Sequence, residues 1–417
     1  MSKAGRPTQR GGFLLLLSFI VLALNLRSPL TAISPVIGDL RTDLGIGSAM
    51  ASLLTSIPVL CFGLLTPLAS TFIARTSIET SIFVTLGGIA LGTVIRSIDG
   101  LAGALAGTTI IGAAMTIGNI VSLMVIARDF PRRAHAVTGL YTSALNVGTM
   151  LTSAFTAPLA VLFGWRIALA FWIVLAVLAI ALWTLSVFLR REPSADKTNE
   201  TPPIPPSVAV AAMSRTSEVS VWRRPIAWLL VLAFASHVFV YYGLTAWLPA
   251  YLIQTEGMAP TTAGFAASTF QILALLGSFG VPALAATKRI SGAMLLIGVA
   301  ITWIITPIGF LVAPDQWFLW SLFGGIASGG GFTAVFMLVM DHTVSLADNR
   351  RMSSLVQGMG YALAAAGPFV VGAMHQATEA WTVGFLFLAG VALLMVITGI
   401  GVAKCRLDPP QLMRNRG

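Results

Sequence analysis

Long apolar runs, separated by short polar or charged turns, fill most of this chain. Twelve of them reach the length of about 20 residues that an α-helix needs to cross a hydrocarbon core of about 30 Å. Their predicted bounds are Phe13–Gly38, Ala49–Ala74, Ser81–Ile98, Leu101–Ala127, Ala134–Phe163, Arg166–Leu189, Pro225–Ile253, Thr261–Ala286, Ser291–Val312, Trp317–Met340, Met352–Met374 and Ala380–Ala403. The sixth and seventh runs are separated by a stretch rich in Pro, Ser, Thr and charge, which predicts a disordered linker.

This pattern predicts an all-α membrane protein with twelve transmembrane helices in two six-helix bundles. We expect a cytoplasmic N-terminal tail at 1–12, a first bundle at 13–189, a cytoplasmic linker at 190–224, a second bundle at 225–403 and a cytoplasmic C-terminal tail at 404–417. The composition agrees, because 56% of the 417 residues are hydrophobic and 10% are charged. Such a chain has too little polar surface to cover a soluble globule.

The two halves repeat each other in sequence. The tripeptide Leu-Thr-Ala at 30–32 returns at 244–246, and Pro35 returns as Pro249, both 214 residues later. The stretch from Gly112 to Asp129 matches the stretch from Gly325 to His342 at an offset of 213. Six spans per half give both halves the same orientation, so the repeat is parallel, with a pseudo-two-fold axis along the membrane normal. In transporters built on such a repeat, the substrate site lies near the midplane between the bundles.

Positive charge marks one side of the predicted bundles. With both termini in the cytoplasm, 21 of the 25 Lys and Arg residues fall in tails and turns on that side, as the positive-inside rule requires. Arg41, Arg96 and Arg166 fall on the opposite side, which leaves Arg27 alone in the membrane. We therefore expect a multi-pass membrane protein with both termini in the cytoplasm. The net charge of +10 is spread over short turns, so it indicates topology and not a nucleic-acid partner.

Arg27 lies near the middle of the first apolar run, where a charged side chain has to face protein or water. All fifteen Asp and Glu residues fall in loops, tails or span ends, so Arg27 has no carboxylate at its own depth. A buried cation without a counter-charge is strongly disfavoured, and a planar guanidinium with five donors suits an electron-rich ligand. The alternative is a structural role in which water or helix-end carbonyls satisfy the guanidinium.

Polar and aromatic residues on other spans are expected to complete a substrate site around Arg27. In the repeat, Arg27 aligns with Tyr241 and Asn119 aligns with Phe332, so the first half supplies a polar side and the second an aromatic side. The predicted substrate-binding residues are Asn25, Arg27, Asn119, Tyr141, Asn146, His237, Tyr241, Trp247, Gln271, Phe332, Phe336, Gln357 and Tyr361. For Gln271, Gln357 and Tyr361, a hydrogen bond between helices is an equal alternative.

His237 is the one mid-membrane group with an unperturbed pKa near neutrality, so a proton carried by the protein would use it. A structural role for His237 is the alternative. A second group of charges lies at the cytoplasmic ends of the fourth and tenth spans: Arg128, Asp129, Asp341 and His342. We expect these four residues to gate the protein by latching one of its conformations, or else to set its topology.

Patterns typical of enzymes are missing from the sequence. We find no paired carboxylates within the spans, no Cys/His spacing for a metal, no phosphate-binding Gly-rich loop and no nucleophile elbow. We therefore expect no catalytic residues, no cofactor, no metal and no use of ATP. The expected partners are a small-molecule substrate and the lipid bilayer, with a coupling proton as an open alternative, and the chain is expected to act as a monomer.

Three segments resemble a known family: LNLRSPLTAISPVIGDL at 24–40, GNIVSLMVIARDFPRRAHAVTGLYTSAL at 118–145 and YYGLTAWLPAYLI at 241–253. They are similar to the cyanate permease and 2-nitroimidazole transporter branch of the major facilitator superfamily. The resemblance implies the major facilitator fold and a bacterial inner-membrane transporter of small planar, anionic or polar solutes, with Asn25 and Arg27 as pocket candidates. One departure is that the pattern after the second span, from Thr66 to Arg75, contains no Asp.

The sequence thus predicts a secondary active transporter that works by alternating access. Its expected substrate is a small planar anionic or polar solute, cyanate-like or bearing a nitro or carboxyl group, with Arg27 as the main binding charge. Symport with an ion, exchange and uniport all stay open as transport modes. An efflux pump for small neutral or weakly basic compounds is one alternative, and a membrane sensor that does not transport is another.

Overall fold

The computed structural model describes residues 9–98, 100–190, 221–343 and 346–405, and these residues are almost entirely helical. Most of both predicted tails and most of the predicted linker therefore lie outside the described residues. The helices of the first bundle are, span by span, Gln9–Asn25 with Ser28–Thr31 and Ile37–Leu44; Ser48–Leu64 with Thr66–Arg75; Ile78–Ser97; Leu101–Asp129; Ala134–Phe163; and Trp165–Phe171 with Ile173–Arg190. Those of the second bundle are Pro225–Glu256; Pro260–Ala286; Gly292–Val312; Trp317–Asp341; Leu346–Ala364 with Ala366–Thr378; and Thr382–Lys404.

These helices suit a membrane in length and in surface. Within the described ranges, eleven spans are long and apolar enough to cross a bilayer, and the second span, bent by 60°, makes a twelfth. Large apolar side chains point outward, with Phe188 72% exposed and Val312 78% exposed, as a lipid-facing surface requires. The predicted all-α fold with two six-helix bundles is confirmed.

The second span bends between Leu64 and Thr66, directly before Pro67. Proline has no N–H to donate to the carbonyl four residues earlier, and its ring clashes with that carbonyl, so Pro67 explains the bend. The segment after the bend, Thr66–Arg75, packs on the fourth span of its own bundle. The second span therefore changes direction towards its C-terminal end, away from its start at Ser48.

Arg27 lies at a break in the first span. The backbone leaves the α-helix after Asn25 and enters a new helix at Ser28. Pro29 explains this break, because it cannot donate to the carbonyl of Asn25. A second interruption follows at Pro35, inside a 3-10 turn. The sequence pattern predicted one span at Phe13–Gly38, and the structure has one span from Gly12 to Leu44 with these two interruptions inside it.

The two bundles meet at the end of the molecule where the first span ends at Leu44 and the second begins at Ser48, which we call the far side. There the amide of Ala49 donates a 3.1 Å hydrogen bond to Oε1 of Gln376 in the other bundle. The fifth and eighth spans also approach each other so tightly that a Cβ on Gly264 would lie 2.7 Å from the carbonyl oxygen of Ser153. The far side is therefore closed by direct contact between the bundles.

Candidate functional site

The Arg27 side chain extends from the first bundle to the second. Its Cζ lies 5.8 Å from the centroid of the Phe332 ring, within the range of a cation–π interaction. The hydroxyls of Tyr241 and Tyr361 lie close enough to the guanidinium to interact with it. Arg27 is partly exposed, although Asn25 and most of its neighbours in the span are buried. The guanidinium is thus held between the bundles and stays accessible.

The groups around Arg27 carry no negative charge. Tyr141, Tyr242 and His237 complete the set of ionisable side chains that interact with it electrostatically, together with Tyr241 and Tyr361. In the described part of the chain, Arg27 forms no ion pair with a carboxylate. The expectation of a membrane cation without a counter-charge therefore agrees with the geometry.

His237 is buried beside this site and bonded to a tryptophan. Its Nδ1 accepts a 2.9 Å hydrogen bond from the indole N–H of Trp303. An indole nitrogen is only a donor, so Nδ1 has to be unprotonated and the neutral ring carries its proton on Nε2. Protonating the ring would set two donors against each other. Gly331 supports this arrangement, because a Cβ there would lie 2.2 Å from Nδ1.

Gln271 links the two bundles next to Tyr241. Its Oε1 accepts a 3.1 Å hydrogen bond from the Tyr241 hydroxyl and a 3.5 Å contact from the Thr149 hydroxyl of the other bundle. Gln271 is 1% exposed, and its Nε2 has no hydrogen-bond partner among the described residues. A buried amide with free donors is costly unless a ligand or water pairs with it. Gln271 therefore presents two N–H groups beside the Arg27 site.

Other predicted residues lie around the same interface. The hydroxyl of Tyr141 donates a 3.3 Å hydrogen bond to Oδ1 of Asn119, and the Asn146 side chain is 9% exposed. Phe332 and Phe336 pack with ring centroids 4.7 Å apart, and both pack on Phe234, as does Tyr361. Gln357 is half-buried on the eleventh span. The second bundle therefore carries a cluster of aromatic side chains, and its role in a substrate site stays a prediction.

Two predicted residues use their polar atoms elsewhere. The Asn25 amide nitrogen donates to the carbonyls of Val21, at 2.8 Å, and Leu175, at 3.1 Å. Trp247 is fully buried, and its indole N–H donates to the carbonyl of Pro368 at 3.0 Å. In this conformation, Asn25 joins helices of the first bundle and Trp247 packs within the second.

On the far side of Arg27, the repeated Leu-Thr-Ala segments of the first and seventh spans face each other. They enclose a cavity of about 10 Å³ lined by Thr31, Ser34, Thr55, Tyr242 and Thr245, among others. A larger cleft of about 350 Å³ lies further out, at the surface near Trp165, and does not include Arg27. The small cavity leaves no room for a solute, so the way from Arg27 to the far side is closed.

The predicted gating residues are not joined to one another across the bundles. Arg128 pairs within its own bundle, with Glu79 at 2.7 Å and with its neighbour Asp129 at 3.0 Å. Asp341 is exposed, and Nδ1 of His342 lies 2.8 Å from the carbonyl of Leu338 in its own helix. A latch between Arg128 and Asp341 is not formed in this conformation.

Sequence analysis missed a second buried arginine. Arg96 was expected near the end of the third span, on the side opposite the termini; the structure has it in the last turn of that helix, with its side chain 1% exposed inside the first bundle. Its Nη1 donates a 2.8 Å hydrogen bond to the carbonyl of Pro29. The available signal was its position in the last turn of an apolar helix, but a charge at the end of a span usually faces water. Trp303 and Thr149 were also missed, because Trp and Thr are common in membrane spans.

Comparisons with known proteins agree with this architecture. Residues 13–352 match the Major Facilitator Superfamily. The chain is 30% identical over 388 residues to the 2-nitroimidazole transporter of Escherichia coli (strain K12), which covers 93% of this chain and 94% of that protein. It is 29% identical over 406 residues to the cyanate transport protein CynX of the same organism, with 95% and 99% coverage.

Among solved structures, the crystal structure of the D-xylose-proton symporter aligns with a TM-score of 0.74 at 14% identity, covering 94% of this chain and 97% of that one. This likeness supports the fold. The resemblance inferred from three sequence segments is confirmed by the family match and by the two relatives. The chain is a multi-pass membrane transporter and not an enzyme, and it belongs to the Major Facilitator Superfamily.

Proposed function

We propose that this protein is a secondary active transporter that binds a small anionic or nitro-bearing solute at Arg27 and moves it by alternating access. The observation that supports this best is the Arg27 guanidinium, which is partly exposed between the bundles and forms no ion pair with a carboxylate in the described chain. An uncompensated cation within a membrane is costly. Binding an electron-rich solute reduces that cost, so the site selects for such solutes.

The donors around Arg27 suit a flat solute with two electron-rich atoms at one end. Arg27 supplies a planar fork, and Gln271 supplies two N–H groups that have no protein partner among the described residues. The Phe332 ring, 5.8 Å from Cζ of Arg27, provides a flat wall. The names of the two relatives are consistent with this chemistry, since cyanate and 2-nitroimidazole are both small and both carry electron-rich terminal atoms.

In this proposal His237 stays neutral during transport. Its Nδ1 is occupied by the Trp303 N–H, and the Arg27 cation nearby opposes a second positive charge. Solute exchange, or cotransport of a proton that the solute itself carries, is therefore preferred over a proton relay through His237. The solute reaches Arg27 from the side of the termini, which the positive-inside pattern predicts to be cytoplasmic.

The test is transport by purified protein in liposomes, with radiolabelled cyanate, nitrite and 2-nitroimidazole as probes. Arg27→Gln should raise the KM about 10- to 100-fold, because a hydrogen bond to a charged group contributes about 1.5–3 kcal/mol. The KM of Arg27→Lys should lie between those of the wild type and Arg27→Gln, since lysine keeps the charge but loses the planar fork. Arg223→Gln, which neutralises an exposed arginine outside the spans, is the matched control and should transport normally.

Transport that does not depend on the residue at position 27 would contradict the proposal. Faster transport of weakly basic compounds by Arg27→Gln than by the wild type would instead favour the efflux-pump alternative. In that case the positive charge of Arg27 would weaken substrate binding and not strengthen it.

A further inference from the structure

Arg96 is a buried cation to which the proposed transport mechanism assigns no role. It is 1% exposed, and its Nη1 donates a 2.8 Å hydrogen bond to the carbonyl of Pro29. Its Nε and Nη2 have no partner among the described residues, and Arg96 forms no ion pair there. Pro29 is two residues from Arg27 and on the same interrupted segment. The one described bond of Arg96 thus connects it to the backbone that carries the proposed binding charge.

The carbonyl of Pro29 needs a donor because the helix is broken. In a continuous helix, the amide of Ile33 would donate to it. Here the helix ends at Thr31, and the backbone bonds of this segment run from Leu30 to Arg27 and from Ala32 to Ser28. A buried carbonyl without a partner is strongly disfavoured inside a membrane protein. The Arg96 guanidinium replaces the donor that the break removes.

The backbone of Arg96 is itself held rigidly. The third and fourth spans pack so closely at this point that a Cβ on Gly107 would lie 2.3 Å from the backbone nitrogen of Arg96. A similar close approach occurs one turn earlier, where a Cβ on Gly92 would lie 2.7 Å from the carbonyl oxygen of Gly107. The guanidinium therefore extends from a fixed point to a segment that has no regular helix to fix it.

We propose that Arg96 is a positioning residue for solute binding: by holding the Pro29 carbonyl it fixes the break in the first span and so directs Arg27 to the second bundle. The consequence for transport rests on the proposed function, but the geometry does not. Arg96→Met removes the donors and keeps much of the volume. Arg96→Lys keeps a donor that reaches the same carbonyl, so it should preserve the arrangement.

The geometric step is tested without any substrate. In a parent that carries Arg27→Cys, Cys61→Ser and Cys405→Ser, the introduced thiol is modified with the anionic reagent 2-sulfonatoethyl methanethiosulfonate. Arg96→Met should change the modification rate at least about fivefold, and Arg96→Lys should restore it. The matched control is Arg166→Met, because Arg166 pairs with Asp43 at 2.6 Å elsewhere in the same bundle. An unchanged rate in monodisperse Arg96→Met protein would overturn the inference.

A second route uses Pro29→Ala, which gives the chain back an N–H and favours a continuous helix. In that background, Ile33 can donate to the carbonyl at position 29, so adding Arg96→Met should have much less effect on the rate than in the parent. If Arg96→Met alone does not fold, recovery of monodisperse protein by Pro29→Ala supports the inference. Failure to recover it, or equal effects in both backgrounds, overturns it.

The transport readout separates this inference from the proposed function. With Arg27 in place, Arg96→Met should raise the KM for cyanate about tenfold with little change in kcat, as expected when a binding group is misdirected. If Arg27→Gln transports normally while the thiol rate still depends on Arg96, the proposed function fails and the positioning role stands. If Arg27→Gln loses affinity while Arg96→Met changes neither thiol rate nor KM, the positioning role fails.

Discussion

The first and seventh spans occupy equivalent positions in the sequence repeat, yet they differ in backbone and in charge. The seventh span is one helix from Pro225 to Glu256, although Pro249 stands where the first span has Pro35. The first span is interrupted twice and carries Arg27 at the first interruption. A shared proline therefore does not decide whether a span breaks.

The difference lies in what surrounds each backbone. Pro29 aligns with Gly243 at the repeat offset, so the first span has an extra proline in the turn before the shared one. Arg96 supplies a donor to the freed carbonyl of Pro29, and such a donor makes an interruption tolerable inside a membrane protein. The continuous span instead presents neutral side chains, His237 and Tyr241, to the interrupted one. One bundle thus contributes charge and irregular backbone, and the other a regular neutral wall.

The largest effect is expected from Gly331→Ala, which disturbs the neutral wall. The new Cβ would lie 2.2 Å from Nδ1 of His237, so the ring has to move and its bond to Trp303 is lost. Overpacking of this kind costs about 1–3 kcal/mol, and the thermal unfolding midpoint in detergent should fall accordingly. Gly139→Ala is the control, because no atom of the described residues lies within 4 Å of a Cβ there. Equal unfolding midpoints for the two variants would show that His237 can move away from position 331 at little cost in stability.

A smaller effect on binding is expected from Tyr241→Phe. The hydroxyl bonds Gln271 at 3.1 Å and faces Arg27, so its loss should raise the KM for cyanate about 3- to 10-fold. Tyr251→Phe on the same helix is the control, since the Tyr251 hydroxyl donates to the carbonyl of Phe310. It should lower the unfolding midpoint and leave the KM unchanged. A normal KM for Tyr241→Phe would show that the Tyr241 hydroxyl of the seventh span does not contribute to solute binding.

Gln376→Leu should weaken the closure of the far side, where the first and seventh spans face each other. Gln376 accepts from the Ala49 amide at the start of the second span and so caps that helix from the other bundle. Losing a cap costs about 1 kcal/mol, which should increase the population that is open on the far side about fivefold.

The opening can be followed by labelling Ser34→Cys in protein without its two native cysteines. Ser34 is 3% exposed and lines the closed cavity, so faster labelling from the far side reports opening. Gln316→Leu is the control, because Gln316 bonds Asp315 within its own bundle. Equal labelling rates in both variants would show that the cap does not hold the bundles together.

The smallest effect is expected from Trp303→Phe, which removes one hydrogen bond from a ring that stays neutral. Burial and the nearby Arg27 cation still oppose a charge on His237 once the indole is gone, so the KM for nitrite should not change between pH 8 and pH 5.5 in the variant or in the wild type. The thermal unfolding midpoint should fall by the equivalent of about 1 kcal/mol, the net contribution of a typical hydrogen bond. Trp183→Phe is the control, because the buried indole N–H of Trp183 has no partner among the described residues. A pH-dependent wild type would contradict a permanently neutral His237.

The sequence by itself determined the twelve spans, the parallel repeat and the presence of a cation without a carboxylate at its depth. The bilayer acts on each segment separately, since it sets the apolar length of a span and the side on which Lys and Arg accumulate. A pattern read along the sequence is therefore enough to predict the spans. Arg27 and Tyr241 could be grouped in advance because they occupy the same position in the two copies of the repeat.

Only the tertiary structure decided where the backbone breaks and which polar atoms stay free. Arg96 and Pro29 are 67 residues apart, and His237 and Trp303 are 66 apart, yet each pair shares a buried hydrogen bond. The same packing directs the Asn25 and Trp247 side chains to backbone carbonyls and leaves Nε2 of Gln271 unpaired. A buried polar group takes whichever partner the packing of distant helices brings to it, and no local pattern in the chain specifies that partner.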